Sequence, residues 1–194
     1  MTIVLASASA IRRRLLTNAG IDFRAETSDV DEAAVKAELK LPPGPLAMHL
    51  AEAKAIAVSR NHGSALVVGA DQVLALGEAI FDKPQDSAEA RSQLLALRGK
   101  AHELHSAAAC ARDGKIVWTH HDVAHLTMRN FSDAFIGRYL ELAPAAITSS
   151  VGAYKLEETG IQLFDKITGD YFTILGLPLL PLLAFLRERG EVRT

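Results

Sequence analysis

Short apolar runs alternate with helical periodicities along the chain. Residues 2–5 are apolar at nearly successive positions, as in a strand buried on both faces. Small residues follow at Ser7 to Ser9. Ile11, Leu15 and Leu16 then share one helical face over residues 11–19, and Gly20 stops the helix. Residues 23–28 read as a second strand, and the acidic stretch VDEAAVKAEL follows, with Asp31-Glu32 in a loop. Pro42, Pro43 and Pro45 punctuate another loop. Residues 46–61 form a strong helix with Leu50, Ala53 and Ala57 on one face. The run ALVVG at 65–69 is a buried strand ending in Gly-Ala-Asp, continued past a kink by residues 72–76. A helix over 87–97 takes Ser87 as N-cap and Gly99 after its end. Strands at 103–111 and 115–128 join at Asp113-Gly114, a hairpin signal. A helix over 133–142 is capped by Ser132. A strand over 161–167 and a helix over 179–189 complete the chain. Strands alternate with helices first and a hairpin interrupts later, so the fold class is α/β with a mixed β-sheet and flanking helices. No repeat or linker divides the chain. Residues 1–194 suit one domain, or two small lobes sharing one sheet.

Composition narrows the function. Apolar residues make up 49% and charged residues 23% of the chain, and the net charge is −2. A general nucleic-acid binder would carry a basic excess, so stable nucleic-acid binding is not expected. The one cysteine, Cys110, lies in an apolar stretch and reads as a small buried hydrophobe. It cannot form an internal disulfide, which fits a reducing compartment. The N-terminal run lacks a basic flank before it, and ILGLPLLPLLAFL is too short to span a bilayer and carries two prolines. These features predict no membrane segment and a cytoplasmic location.

Four groups of residues could carry chemistry. Ser7, Ser9, Arg12 and Arg13 lie where a strand turns into a helix. Free N–H groups at a helix start, with hydroxyls and guanidiniums, suit a phosphate; the other reading is a capped helix with solvated arginines. Asp71 should stand at the carboxyl end of a buried strand, where α/β sheets bind ligands, and could ligate a hard cation or activate a water. A turn-forming Asp is the alternative. Asp31-Glu32 could add a second carboxylate, or could be a solvated pair opening a helix. Lys54, Lys83 and Lys155 are candidates for phosphate contacts or plain surface lysines; Pro84 stiffens Lys83. The histidines form no chelating pattern, so zinc is not expected.

These segments together resemble the Maf family. LASASAIRRRLL is similar to its opening motif, VDE at 30–32 to its acidic motif, and LAEAKA at 50–55 to its lysine helix. VGADQV at 68–73 is similar to its catalytic strand. DKPQDSAEARSQLLALRGKAHEL and VGAYKLEETGIQLFDKITGDYFTILGLPL are similar to its two later blocks. The resemblance covers nearly the whole chain in the family's order. It implies hydrolysis of a nucleoside triphosphate to the monophosphate and pyrophosphate, assisted by a divalent cation, Mg²⁺ or Mn²⁺. It further implies an elongated structure with two lobes and a central cleft, similar to inosine-triphosphate pyrophosphatases, and a homodimer. On this resemblance Asp71 is the proton acceptor, Glu32 is the acidic metal-site residue, and Ser7, Arg12, Lys54 and Lys83 bind substrate. The reading of the residues themselves adds Asp71 as a metal ligand and Ser9, Arg13 and Lys155 as substrate contacts.

Departures from the family bear on the base. Ala10 replaces the motif proline. Gln72 and Glu157 stand where the dTTP/UTP-hydrolysing subgroup has Thr and Gln. With Arg13 they resemble the subgroup that hydrolyses 7-methyl-GTP. A carboxylate at Glu157 can accept from the guanine N1–H and 2-amino group together, whereas thymine and uracil flank one N–H with carbonyls that repel it. Ile11 offers no cation–π attraction to a methylated base, so plain GTP stays open. A dTTP, UTP or CTP pyrophosphatase is the alternative enzyme, and a non-catalytic regulator of cell division the alternative of another class.

Overall fold

The computed structural model describes residues 2–144 and 147–192. The apolar runs form the strands of a seven-stranded sheet in the order β2-β1-β3-β5-β6-β7, with β4 paired to β3. The strands are β1 (Ile3–Ala6), β2 (Phe23–Glu26), β3 (Leu66–Leu76), β4 (Ala79–Phe81), β5 (Ala101–Arg112), β6 (Lys115–Met128) and β7 (Phe164–Thr168). The helices are α1 (Ala10–Asn18), α2 (Glu32–Leu39), α3 (Pro43–Ser59), α4 (Ser87–Leu97), α5 (Asp133–Leu142), α6 (Tyr171–Ile174) and α7 (Leu179–Glu188). β1 pairs in parallel with both β2 and β3, whereas β3 with β4 and β6 with β7 are antiparallel. The sheet is therefore mixed, as the hairpin in the middle of the chain implies. That hairpin turns at Asp113 and Gly114, both with positive φ (49° and 73°), as the tightest two-residue turns require.

Two compact units divide the chain: Met1–Gln72 with His105–Asp122 and Asp170–Thr194, and Val73–Leu104 with Val123–Gly169. In the first, β1 and the part of β3 paired with it are buried on both faces, which is why they read as continuous apolar runs. Ile3, Leu5, Leu66, Val68 and Ala70 pack with Leu15, Leu16, Leu182 and Phe185 of α1 and α7. Val4, Ala6 and Val67 turn the other way and pack with Val58 of α3. Cys110 is buried in the first of these clusters, where desolvation raises its thiol pKa. In the second unit, Ala90, Leu94 and Leu97 of α4 are buried, as are Leu104, Leu126, Met128, Ile136 and Tyr139.

Several boundaries differ from expectation, each for a local reason. α3 begins at Pro43, so the prolines open the helix instead of punctuating a loop; its first-turn N–H groups have no intrahelical acceptor, and proline lacks one. Asp86, not Ser87, caps α4: its carboxylate accepts from Glu89 N at 2.8 Å, while Glu89 accepts from Gln85 N at 2.8 Å. Glu32 is not in a loop. Asp31 caps α2 through Ala34 N at 3.0 Å, and Glu32 is the first helical residue. The strand expected over 161–167 starts only at Phe164, after a 3-10 turn at Thr159–Leu163 that leaves Ile161 exposed and Leu163 buried. β3 is unbroken from Leu66 to Leu76. Asp71 is thus not at a strand end but two residues past Gly69, the last residue paired in parallel with β1.

Candidate active site

The geometry around Asp71 begins with a glycine. A Cβ built on Gly69 would lie 2.2 Å from the Ala51 carbonyl oxygen and 2.7 Å from Ala55 N. The backbones of α3 and β3 therefore approach more closely than any side chain at position 69 permits. Asp71 lies on the same face of β3 as Gly69, two residues on, and Lys54 lies between Ala51 and Ala55 in α3. The close approach sets Lys54 Nζ 2.5 Å from Asp71 Oδ1. The same ammonium lies 2.6 Å from Glu32 Oε1 at the start of α2. Lys54 and Asp71 are buried, while the Glu32 side chain is 45% exposed. One buried cation thus joins two carboxylates from three elements.

The residues flanking Asp71 are fastened separately. Arg12 in the first turn of α1 donates from Nη1 to the Ala70 carbonyl at 2.8 Å and from Nε to the Gly176 carbonyl at 2.7 Å. Burial lowers its pKa, opposed by the nearby charges of Asp71 and Glu32. Gly176, with φ 89°, fits beneath this guanidinium: a Cβ there would lie 3.4 Å from Arg12 Nη2. On the other side, the Gln72 amide donates to the Thr173 and Ile174 carbonyls at 3.1 and 3.0 Å, and to Ser106 Oγ at 2.9 Å. Ser106 in turn donates to the Thr173 carbonyl at 2.7 Å. The Asp170 carboxylate caps α6 by accepting from Phe172 N and Thr173 N. Segment 170–176 is therefore tied to β3 on both sides of Asp71.

The turn before α1 is preorganised by its own hydroxyls. Ser9 N donates to Ser7 Oγ at 3.2 Å, and Ser9 Oγ caps the helix by accepting from Arg12 N at 3.4 Å. Ser7 is buried. Arg13 is exposed and donates to the Ala8 carbonyl at 3.0 Å, and Ile11 packs partly buried against the core. Of the residues singled out from the sequence, Arg12, Lys54, Asp71 and Glu32 come together here.

Lys83, Lys155 and Glu157 belong to the second unit. Lys83 is exposed, between Asp82, whose carbonyl accepts from Gln93 Nε2 at 2.9 Å, and the buried Pro84. Lys155 and Glu157 are half-buried and follow a strained turn. Gly152 and Ala153 both have positive φ (72° and 61°). An alanine in that region costs about 1–3 kcal/mol and persists only when its surroundings enforce it. Tyr139 donates to the Ala153 carbonyl at 2.9 Å, and the Tyr154 hydroxyl shares a 2.9 Å hydrogen bond with His102 Nε2.

The Maf-like protein family matches residues 2–189. The chain belongs to the Maf family. It is 53% identical over 193 residues to a 7-methyl-GTP pyrophosphatase of Mesorhizobium japonicum, covering 98% of this chain and 97% of the relative. It is 54% identical over 189 residues to a 7-methyl-GTP pyrophosphatase of Brucella abortus, covering 96% and 95%. To a nucleoside triphosphate pyrophosphatase of Bradyrhizobium diazoefficiens it is 55% identical over 187 residues, covering 96% and 93%. Among solved structures, a dITP/XTP pyrophosphatase from Mycobacterium abscessus matches with a TM-score of 0.46 and 14% identity, over 98% of this chain and 95% of that one.

In this Maf chain the donor set around Lys54 fits a hard divalent cation. Mg²⁺ takes one or two carboxylates and completes its shell with water and phosphate oxygens. Asp71 and Glu32 converge on a single positive charge and are of the right kind and number. Among the described residues no group of three or more His, Cys, Asp or Glu is placed to hold a metal ion. No helix among the described residues is long and apolar enough to cross a membrane. Sequence reasoning did not single out Ser106, Thr173 or Tyr139; it named Gly69 only as part of the run leading to Asp71, and considered His102 only as a metal chelator. The role of Gly69 did carry a signal, since an isolated glycine inside a strand pattern marks a bulge or a close backbone approach.

Proposed function

We propose that this Maf chain hydrolyses a nucleoside triphosphate to the monophosphate and pyrophosphate, with 7-methyl-GTP or another guanine-type nucleotide as substrate. The observation that carries the reading is the Asp71–Lys54–Glu32 cluster, one residue from the Ala70 carbonyl that Arg12 braces at 2.8 Å. The names of the Mesorhizobium and Brucella relatives support the same substrate.

Water attacks the α–β phosphoanhydride, and Asp71 orients that water and takes its proton. A carboxylate has four acceptor sites, and Lys54 uses one of them. Lys54 fixes the rotamer of Asp71 and adds positive charge where the phosphates develop negative charge. The first turn of α1, with Ser7, Ser9 and Arg13, supplies N–H, hydroxyl and guanidinium donors for phosphate oxygens. Lys83 and Lys155 are further candidates for phosphate contacts. Mg²⁺ or Mn²⁺ held by Asp71 and Glu32 would neutralise phosphate oxygens when bound. Glu157 reads the guanine edge.

Pyrophosphate release by purified protein with GTP, 7-methyl-GTP, dTTP, UTP and CTP tests the reading. Guanine nucleotides should be turned over fastest, and excess EDTA should abolish activity. Faster turnover of dTTP than of every guanine nucleotide overturns the base assignment. Full activity in EDTA overturns the metal assignment, and no pyrophosphate from any substrate overturns the enzyme.

A further inference from the structure

The turn that carries Lys155 and Glu157 is held by groups for which the proposed chemistry has no use. Its two left-handed residues, Gly152 and Ala153, are enforced from several sides. A Cβ on Gly152 would meet Leu74 Cδ1 at 2.6 Å and Tyr154 Cε1 at 2.7 Å, so the residue is confined to glycine by space as well as by φ. Tyr139 of α5 reaches the Ala153 carbonyl at 2.9 Å, and His102 of β5 meets the Tyr154 hydroxyl at 2.9 Å. Phe164 stands edge-on to Tyr154, with ring centroids 4.9 Å apart. Beyond Glu157, Gly160 lies so close to Lys155 that a Cβ would be 2.4 Å from the Lys155 carbonyl oxygen. Glu158 N donates to that carbonyl at 3.2 Å. The backbone is thus pinned on both sides of Glu157 by buried groups.

We propose that Tyr139 and His102 are positioning residues for base discrimination: through the Ala153 carbonyl and the Tyr154 hydroxyl they fix the turn that sets where Glu157 stands. This rests on the reading of Glu157 as the group that meets the base. A carboxylate that pairs with two neighbouring N–H donors tolerates little rotation, because hydrogen bonds weaken steeply as they bend. Loosening the turn therefore costs guanine recognition more than it costs turnover of a pyrimidine nucleotide, which makes no such pair.

Tyr139→Phe and Tyr154→Phe each remove one oxygen and keep the ring. The readout is the ratio of kcat/KM for 7-methyl-GTP, and for GTP, to kcat/KM for UTP. Each variant should lower that ratio about 5- to 10-fold, the scale of one lost buried hydrogen bond. His102→Gln, which keeps a polar group opposite Tyr154, should retain more of the ratio than His102→Leu. A purely structural role slows all substrates alike, and an unchanged ratio in both Tyr variants overturns the proposal. Glu157→Gln is measured alongside. If it collapses the ratio while the Tyr variants do not, only the positioning proposal falls. If it leaves the ratio unchanged, the base reading falls and the positioning proposal with it.

Discussion

Replacing Lys54 by Met isolates the charge at the centre of the site. The methionine fills most of the same space, so little cavity forms. What remains is Asp71, buried, and Glu32, 45% exposed, without the ammonium that lay 2.5 and 2.6 Å from their oxygens. Opposite charges with centres about 4 Å apart attract by about 4 kcal/mol at an effective dielectric of about 20. Removing one partner of a buried pair costs about 3–5 kcal/mol, because the other charge is left uncompensated. The Glu32 share is worth no more than about 1 kcal/mol, since water screens it. Lys54→Met should therefore lower the unfolding free energy by about 3–5 kcal/mol, read by urea denaturation followed by circular dichroism. Asp71→Asn alone should cost less stability, because Lys54 keeps Glu32, yet it should lower pyrophosphate release by at least about 10²-fold, as loss of a general base does. In the double variant no orphaned carboxylate remains at position 71. The two effects on stability should then be non-additive, with a coupling of about 2–3 kcal/mol. Unfolding of Lys54→Met within about 1 kcal/mol of the parent, or strict additivity in the cycle, would refute the account of Lys54 as the buried counter-charge of Asp71.

Two further predictions follow from residues outside that cluster. Gly69→Ala places a Cβ 2.2 Å from the Ala51 carbonyl oxygen, so α3 must shift off β3; the variant should lose about 1–3 kcal/mol by urea denaturation and most of its turnover, and parent-like values for both would show the close approach to be dispensable. Burial lowers the His102 pKa from 6.5 to about 4, so the unfolded chain takes up this proton first. Its contribution is fully present above about pH 6.5 and is lost as pH falls through the window down to about 4, by about 3 kcal/mol in all. Urea melts across that range should show the slope, His102→Gln should flatten it, and an unchanged slope in that variant would count against burial as its cause.

Much of the fold was legible because its physical cause is local. IVLA and LVVGA are apolar at every position since β1 and the part of β3 paired with it are buried on both faces. The DG hairpin and the Ser132 cap were legible because each requires its own residue type in place. The motif residues were legible as kinds of chemistry: a carboxylate in β3, a lysine in α3, hydroxyls before α1. Their division of labour was not. Arg12 sits among apparent phosphate ligands, yet two of its donors go to the carbonyls of Ala70 and Gly176. A backbone carbonyl has no sequence signature, and Gly176 is 164 residues away in the chain. Gln72 stands where the base-specificity contrast points, yet its amide is engaged with the Thr173 and Ile174 carbonyls and with Ser106.

These contacts together give a physical reason for the order Gly-Ala-Asp-Gln in β3. Gly69 admits α3, Ala70 offers its carbonyl to Arg12, Asp71 meets Lys54, and Gln72 holds segment 170–176. A strand alternates its side chains, so Gly69 and Asp71 share the face toward α3 while Ala70 and Gln72 share the other. The carboxylate and the space that lets its lysine approach must therefore be two residues apart, and the bracing residues must interleave with them. A single insertion between Gly69 and Asp71 would preserve every residue type in the motif and still turn Asp71 away from Lys54. The site is thus specified by the register of one strand as much as by the residues on it.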